Sequence, residues 1–259
     1  MNYTNKNELI INKYINKNIF NNPIYILKSE IKYDNNVQKE NSNNILMSTV
    51  SIDSPKVYIY NSHQKEEYSY KYLEEYNIIP NVLMASNMLK DKLENLGINT
   101  LVEENDITKY MEENNLDHSG SYIASRYFLT NTMNKYNSIE LFIDLHRDAA
   151  SYEATHTIID GKDYAKVLFV VGGEYDTYLL NKKVEEDINN IINEKYPTLS
   201  RGILKNEGWG KNGVYNQDLN SNIILIEVGS NYNNIDEVNN TLDALAIVIG
   251  EYLNEKEKI

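Results

Sequence analysis

The chain has no cysteine. Disulfides, thiolate metal sites and cysteine nucleophiles are therefore excluded, and any metal must be held by histidine and carboxylate. No apolar run approaches the roughly 18 residues of a membrane span. No basic start with an apolar segment behind it is present, so the sequence shows no export signal. No basic patch stands out either: the formal net charge is −13, with lysine and glutamate interleaved. That balance argues against nucleic acid as a partner and fits an acidic, solubilising surface. Internal repeats are missing, as are proline- or serine-rich linkers after residue 55. The glycine-rich stretch Glu207–Gly213 lacks the Gly-x-x-x-x-Gly-Lys-Ser/Thr spacing that cradles phosphate.

What is present is enough to build a core, since 41% of 259 residues are hydrophobic. Residues 1–54 are polar and asparagine-rich and read as a peripheral N-terminal segment, with short strands conceivable at Ile24–Leu27 and Ile45-Leu46. From residue 55 strands and helices alternate. Strands are expected at 56–60, 98–103, 139–145 and 222–228, with a further one at Ile203-Leu204. A hairpin is expected around Asp160-Gly161. One helix, capped by Asn81, should bury Val82, Ala85, Leu89, Leu93 and Leu96 and end at Gly97. Others are expected at about 121–136, at a segment burying Leu180, Val184, Ile188 and Ile191, and from Asn234 with a capping box to Glu237. Residues 104–120 read as a polar loop. The pattern predicts an α/β fold: a single domain over 55–259 with a mostly parallel twisted sheet flanked by helices.

Three of these strands run into chemistry. Leu141-Phe-Ile143 leads into Asp144, His146, Arg147 and Asp148; Val57–Tyr60 leads to His63; Ile223–Ile226 leads to Glu227. In open α/β sheets ligands collect beyond the carboxyl ends of the strands, so His63, His146 and Glu227 are expected at one sheet edge. A catalytic zinc takes about three protein ligands and keeps one position open. His63 and His146 supply two. Glu66, one turn after His63, is the favoured third, with Glu67 competing and Asp144 either a weaker ligand or a partner that orients a histidine. Glu227 is then the proton acceptor and donor. Arg147 is a candidate for holding a substrate carboxylate or a developing oxyanion. His118 and His156 read as ordinary polar residues.

The segments Tyr58–Tyr68, Gly120–Arg126, Ile143–Ala149, Tyr215–Leu219 and Ile226–Asn231 fall in the order seen in the stage II sporulation protein P family, and the chain resembles that family over residues 55–255. The resemblance implies an amidase-like fold and a Zn2+-dependent N-acetylmuramoyl-L-alanine amidase, with endopeptidase activity also attributed to the family. It implies peptidoglycan as substrate, action outside the cytoplasm at the cell wall or forespore septum during engulfment, and a lytic transglycosylase as partner. His63 and His146 match the family's zinc histidines, Glu66 its following glutamate and Glu227 its general base. Asn216 lies in the Tyr215–Leu219 motif and joins Arg147 as a candidate for substrate binding. One departure stands out: Asn61-Ser-His63 replaces the family's usual His-Thr-His, and Asn61 is expected to face the same side as His63. A metal-free wall-binding module is the rival of another class.

Overall fold

The computed structural model describes residues 54–71 and 76–256, apart from the side chain of His118. The expectations for Ile24–Leu27 and Ile45-Leu46 lie outside the described residues. The described residues form one compact unit. Its strands are β1 (Val57–Tyr60), β2 (Thr100–Val102), β3 (Leu141–Asp148), β4 (His156–Ile159), β5 (Lys162–Ala165), β6 (Val167–Gly172), β7 (Ser200–Asn206) and β8 (Ile223–Ser230). The α-helices longer than four residues are α1 (Val82–Asn95), α2 (Ile107–Glu113), α3 (Ser121–Lys135), α4 (Tyr178–Lys195) and α5 (Ile235–Lys256).

Six strands form one sheet in the order β2-β1-β3-β8-β6-β7, and β4-β5 is a separate hairpin. The first four strands pair in parallel, β6 runs antiparallel to β8, and β7 is parallel to β6. The mostly parallel sheet expected from the sequence is therefore observed. β1 and β6 are buried along their whole length, as apolar runs with helices on both faces require.

The helix signals carry real contacts. The Asn81 side chain accepts from Met84 N at 2.9 Å, and Gly97 leaves α1 with φ +81°. At α5 the capping box is closed in both directions, with Glu237 N donating to Asn234 Oδ1 and Asn234 N to Glu237 Oε2. The stripe Val238, Leu242, Leu245, Ile249 and Leu253 is buried, each side chain contributing about 1.5–3 kcal/mol over the exposed state. The hairpin turn holds Asp160 and Gly161 both at positive φ, the geometry that suits a two-residue connection.

Three expectations need correction. Leu96 and Leu180 are 53% and 56% exposed: Leu96 has already left α1 as its C-cap residue, and α4 buries Val184, Ile188, Ile191 and Ile192 instead. The polar stretch 104–120 contains α2, capped by Asp106 accepting from Lys109 N. The central strand does not stop at residue 145 but continues to Asp148, so His146 and Arg147 stand on a strand and not in a loop.

Candidate active site

Side chains alternate along a strand, so Phe142, Asp144 and His146 share one face of β3, and Ile223, Leu225 and Glu227 share one face of β8. The register pairs Phe142 with Ile223, Asp144 with Leu225 and His146 with Glu227. The lower residues of this face are packed with Tyr58, Tyr60 and Leu129 of α3. Towards the carboxyl ends the same face turns polar, and His146 and Glu227 are neighbours across the ladder.

A turn brings two more groups. After β1 the chain makes a tight turn that closes with Glu66 N donating to His63 O at 3.0 Å. The His63 and His146 rings then stand edge to face, 5.4 Å between centroids. His146 Nδ1 lies 3.4 Å from Glu66 Oε2, and His146 Nε2 lies 2.8 Å from Asp144 Oδ1, without the alignment a hydrogen bond needs. Asp144 is fully buried and accepts from Ser62 N and Ser62 Oγ.

These spacings suit a divalent ion. Two ligand atoms on a tetrahedral ion with bonds of about 2.0–2.1 Å sit about 3.4 Å apart, and two imidazoles put their centroids about 5 Å apart. His146 would then offer Nδ1 to the ion and Nε2 to Asp144, the carboxylate–histidine arrangement that orients metal ligands. Glu227 Oε2 is buried and unpartnered among the described residues. Among those residues no three or more histidine, aspartate or glutamate side chains already converge on one metal position; the fit is one of donor type and pairwise distance.

The electrostatics follow from the crowding. Burial pushes the Glu227 carboxyl up to about 7, with Glu66, Asp148 and Asp144 adding to the rise and His146 opposing it. Burial would lower His146, but Asp144 and Glu66 outweigh it and hold the imidazole well above its ordinary value. Glu66 is lowered: burial raises it, and His146 and the Arg147 N–H more than compensate.

Each remaining candidate has a definite place. Glu67 is exposed, and its carbonyl accepts from Arg147 Nε at 3.0 Å. Arg147 lines a cleft of about 600 Å³ together with His63 and Glu66. Asn216 is buried at φ +58°; its amide donates to Tyr122 O and Ser125 Oγ, which makes it an internal brace against α3. Asn61 does not follow His63 to the cleft. The chain has left the strand for a turn, where two-residue alternation no longer holds, and Asn61 is fully buried, donating to Leu145 O and accepting from Ser86 Oγ.

Sequence reasoning missed two features. Tyr122 lies 5.5 Å from the His63 ring and stacks at 6.4 Å over His146. It belongs to the Gly120–Arg126 motif, which had no assigned role. A buried chain of hydrogen bonds also joins the motif segments: Asp144 to Ser62, Ser62 to Ser125 at 2.8 Å, and Ser125 to Asn216 at 3.0 Å. Arg126 adds a bidentate pair with Asp218 at 2.7 and 2.8 Å.

Comparison with known proteins decides the family. The model of the stage II sporulation protein P family matches residues 4–250. This chain belongs to that family. The stage II sporulation protein P of Bacillus subtilis (strain 168) is 33% identical over 215 residues, covering 80% of this chain and 53% of the relative, so the chain spans about half the length of that curated protein. The CwlD amidase from Clostridioides difficile, solved in complex with the GerS lipoprotein, has a similar fold, with a TM-score of 0.51 at 16% identity over 77% of this chain and 98% of that one. Cwp6 from Clostridium difficile aligns with a TM-score of 0.45 at 17% identity, over 77% of this chain and 29% of that one. The fold of this chain is thus similar to that of the CwlD amidase.

Proposed function

We propose that this member of the family is a zinc-dependent peptidoglycan hydrolase acting in engulfment during sporulation. Its target is the amide bond between the lactyl carbonyl of N-acetylmuramic acid and the L-alanine of the stem peptide. One observation carries the reading: His146 and Glu227 stand side by side on one sheet face, and His63 and Glu66 close on them from a single turn. Family membership supports the cell-wall context, and the likeness to an amidase fold supports the class of bond.

In this reading His63, Glu66 and His146 would hold the ion, with Asp144 beside His146 Nε2 placed to orient the ring once the ion is bound. A bound Zn2+ supplies polarisation of the scissile carbonyl and a water whose pKa falls towards about 7. Glu227 takes the proton of the attacking water and returns it to the leaving amine of L-alanine. Arg147, anchored by the carbonyls of Glu67 and Asp148, steadies negative charge on the substrate. The site of action is outside the cytoplasm, at the cell wall or septum, alongside a lytic transglycosylase that shortens the glycan. No helix among the described residues is long and apolar enough to cross a membrane.

Digestion of purified peptidoglycan followed by mass spectrometry tests this. Free amino-terminal L-alanine is expected, with loss of the product on chelation and its return with zinc. New amino termini on diaminopimelate would instead mark an endopeptidase. Asn61, which stands where the family usually has a histidine and is buried away from the cleft, favours one further reading, a metal-free wall-binding module; negligible zinc with intact peptidoglycan binding would establish it.

A further inference from the structure

β7 brings a cation to the site from the side away from His63. Leu168 of β6 pairs with Glu227, so these two side chains point to one face, and Val167 and Phe169 point to the other. Ser200 and Ile203 pair with Val167 and Phe169, which leaves two residues of β7, Arg201 and Gly202, standing against Leu168 alone. This is a β-bulge, and Gly202 takes its left-handed position at φ +89°. The extra residue re-aims its neighbour: Arg201 falls on the face that holds Glu227 and His146.

From there Arg201 reaches back across the sheet. Its Nη1 donates to Asp148 Oδ2 at 2.6 Å, although β8 and β6 lie between β3 and β7. The two side chains are only 22% and 25% exposed. Asp148 Oδ1 meanwhile accepts from Ala149 N and Ala150 N, so both carboxylate oxygens are committed. The ladder that would fix this end of β3 is irregular, because its register with β8 shifts between His146 and Asp148. A charge-assisted hydrogen bond is roughly twice as strong as a neutral one, and this one sits where backbone pairing lapses, two residues beyond His146. The chemistry proposed above gives the pair no part.

We propose that Arg201 is a positioning residue: through Asp148 it holds the carboxyl end of β3 across the lapse in the ladder and keeps His146 aligned with Glu227. The inference rests on the zinc reading of the site, because it assigns the support of one of the ligands. Arg201 acts through the strand and not by contact with the reacting atoms. Groups that orient a metal ligand typically change metal affinity or activity by about 10–100-fold when removed. Methionine at this position fills much of the same space without charge, whereas lysine keeps the charge and loses only the planar fork.

Zinc titration of the full chain against a competing chelator tests it, with cleavage of a soluble N-acetylmuramoyl tetrapeptide measured alongside. Arg201→Met and Asp148→Asn should each weaken zinc binding about tenfold. The double variant should lose no more than either single one, because both changes break the same bond. Arg201→Lys should return to within about threefold of the parent. At saturating zinc, cleavage should fall through kcat, with KM within about twofold of the parent; a role confined to stability would move the unfolding midpoint alone. Unchanged zinc affinity in both single variants, or losses that multiply in the double variant, would overturn the positioning role and leave the zinc reading standing. A zinc cycle that behaves as expected, in a protein that releases no amino-terminal L-alanine, would sink the amidase reading and leave the positioning role standing. A parent chain that binds no zinc would end both.

Discussion

Glu227 faces His146 across a parallel ladder, which is why one oxygen atom separates two outcomes. Glu227→Gln keeps size and hydrogen-bonding shape but cannot accept a proton. Release of L-alanine should fall by about 10²–10⁴-fold, while peptidoglycan affinity in a pull-down assay stays within about twofold of the parent. Glu185 on α4 makes a different prediction. It is fully buried, with Gln217 Nε2 3.3 Å from one oxygen, and burial raises its carboxyl well above the ordinary value. The folded protein therefore keeps a proton that the unfolded chain gives up. That contribution to stability is complete below the unfolded pKa of about 4.3 and is lost as pH rises through the folded value. Glu185→Gln should match the parent in urea unfolding near pH 4 and become progressively more stable than it towards pH 8. A constant difference across that range would contradict the assignment.

At the scale of elements, the Glu227-Val-Gly229 motif has a mechanical explanation. His146 pairs with Glu227, yet Asp148 pairs with Ser230, so β8 carries one extra residue, a β-bulge. Gly229 sits at φ +64°, and a Cβ there would lie 2.8 Å from both Ala165 Cβ and Asn233 Oδ1. Gly229→Ala should cost about 2–4 kcal/mol, combining the left-handed backbone with overpacking, as read from denaturant midpoints. Breaking the buried hydroxyl chain at Ser62→Ala removes a donor from Asp144 and a partner from Ser125. A loss of about 1–3 kcal/mol is expected, together with weaker activity through a looser His146. Most elements were legible beforehand because their apolar periods were strong and their caps conventional, as at Asn81 and Asn234. α2 was not, because only Ile107 of its seven residues is buried, so it leaves no stripe to read. The end of β3 was misplaced for a related reason: a polar Asp-x-His-Arg-Asp run resembles a loop until the site that satisfies it is seen. The Ser62–Ser125–Asn216 chain left no signal, since asparagine is abundant throughout this sequence and isolated serines carry no pattern.

For the whole molecule, the parallel order β1-β3-β8 is what gathers residues 63, 66, 146 and 227 from distant stretches of chain. His63, His146 and Glu227 were recognisable in the sequence because each follows an apolar run, and Glu66 by its spacing from His63; the part played by Asn216 and Tyr122 became visible only once α3 was in place around them. The account stands or falls on whether those gathered side chains hold a metal. The most direct measurement is the zinc content of the purified chain, alongside His63→Ala, His146→Ala and Glu227→Gln. About one equivalent of zinc per chain is expected in the parent and in Glu227→Gln, with loss of most of it in either histidine variant. Zinc near zero in the parent, or an occupancy that both histidine variants leave unchanged, would contradict it.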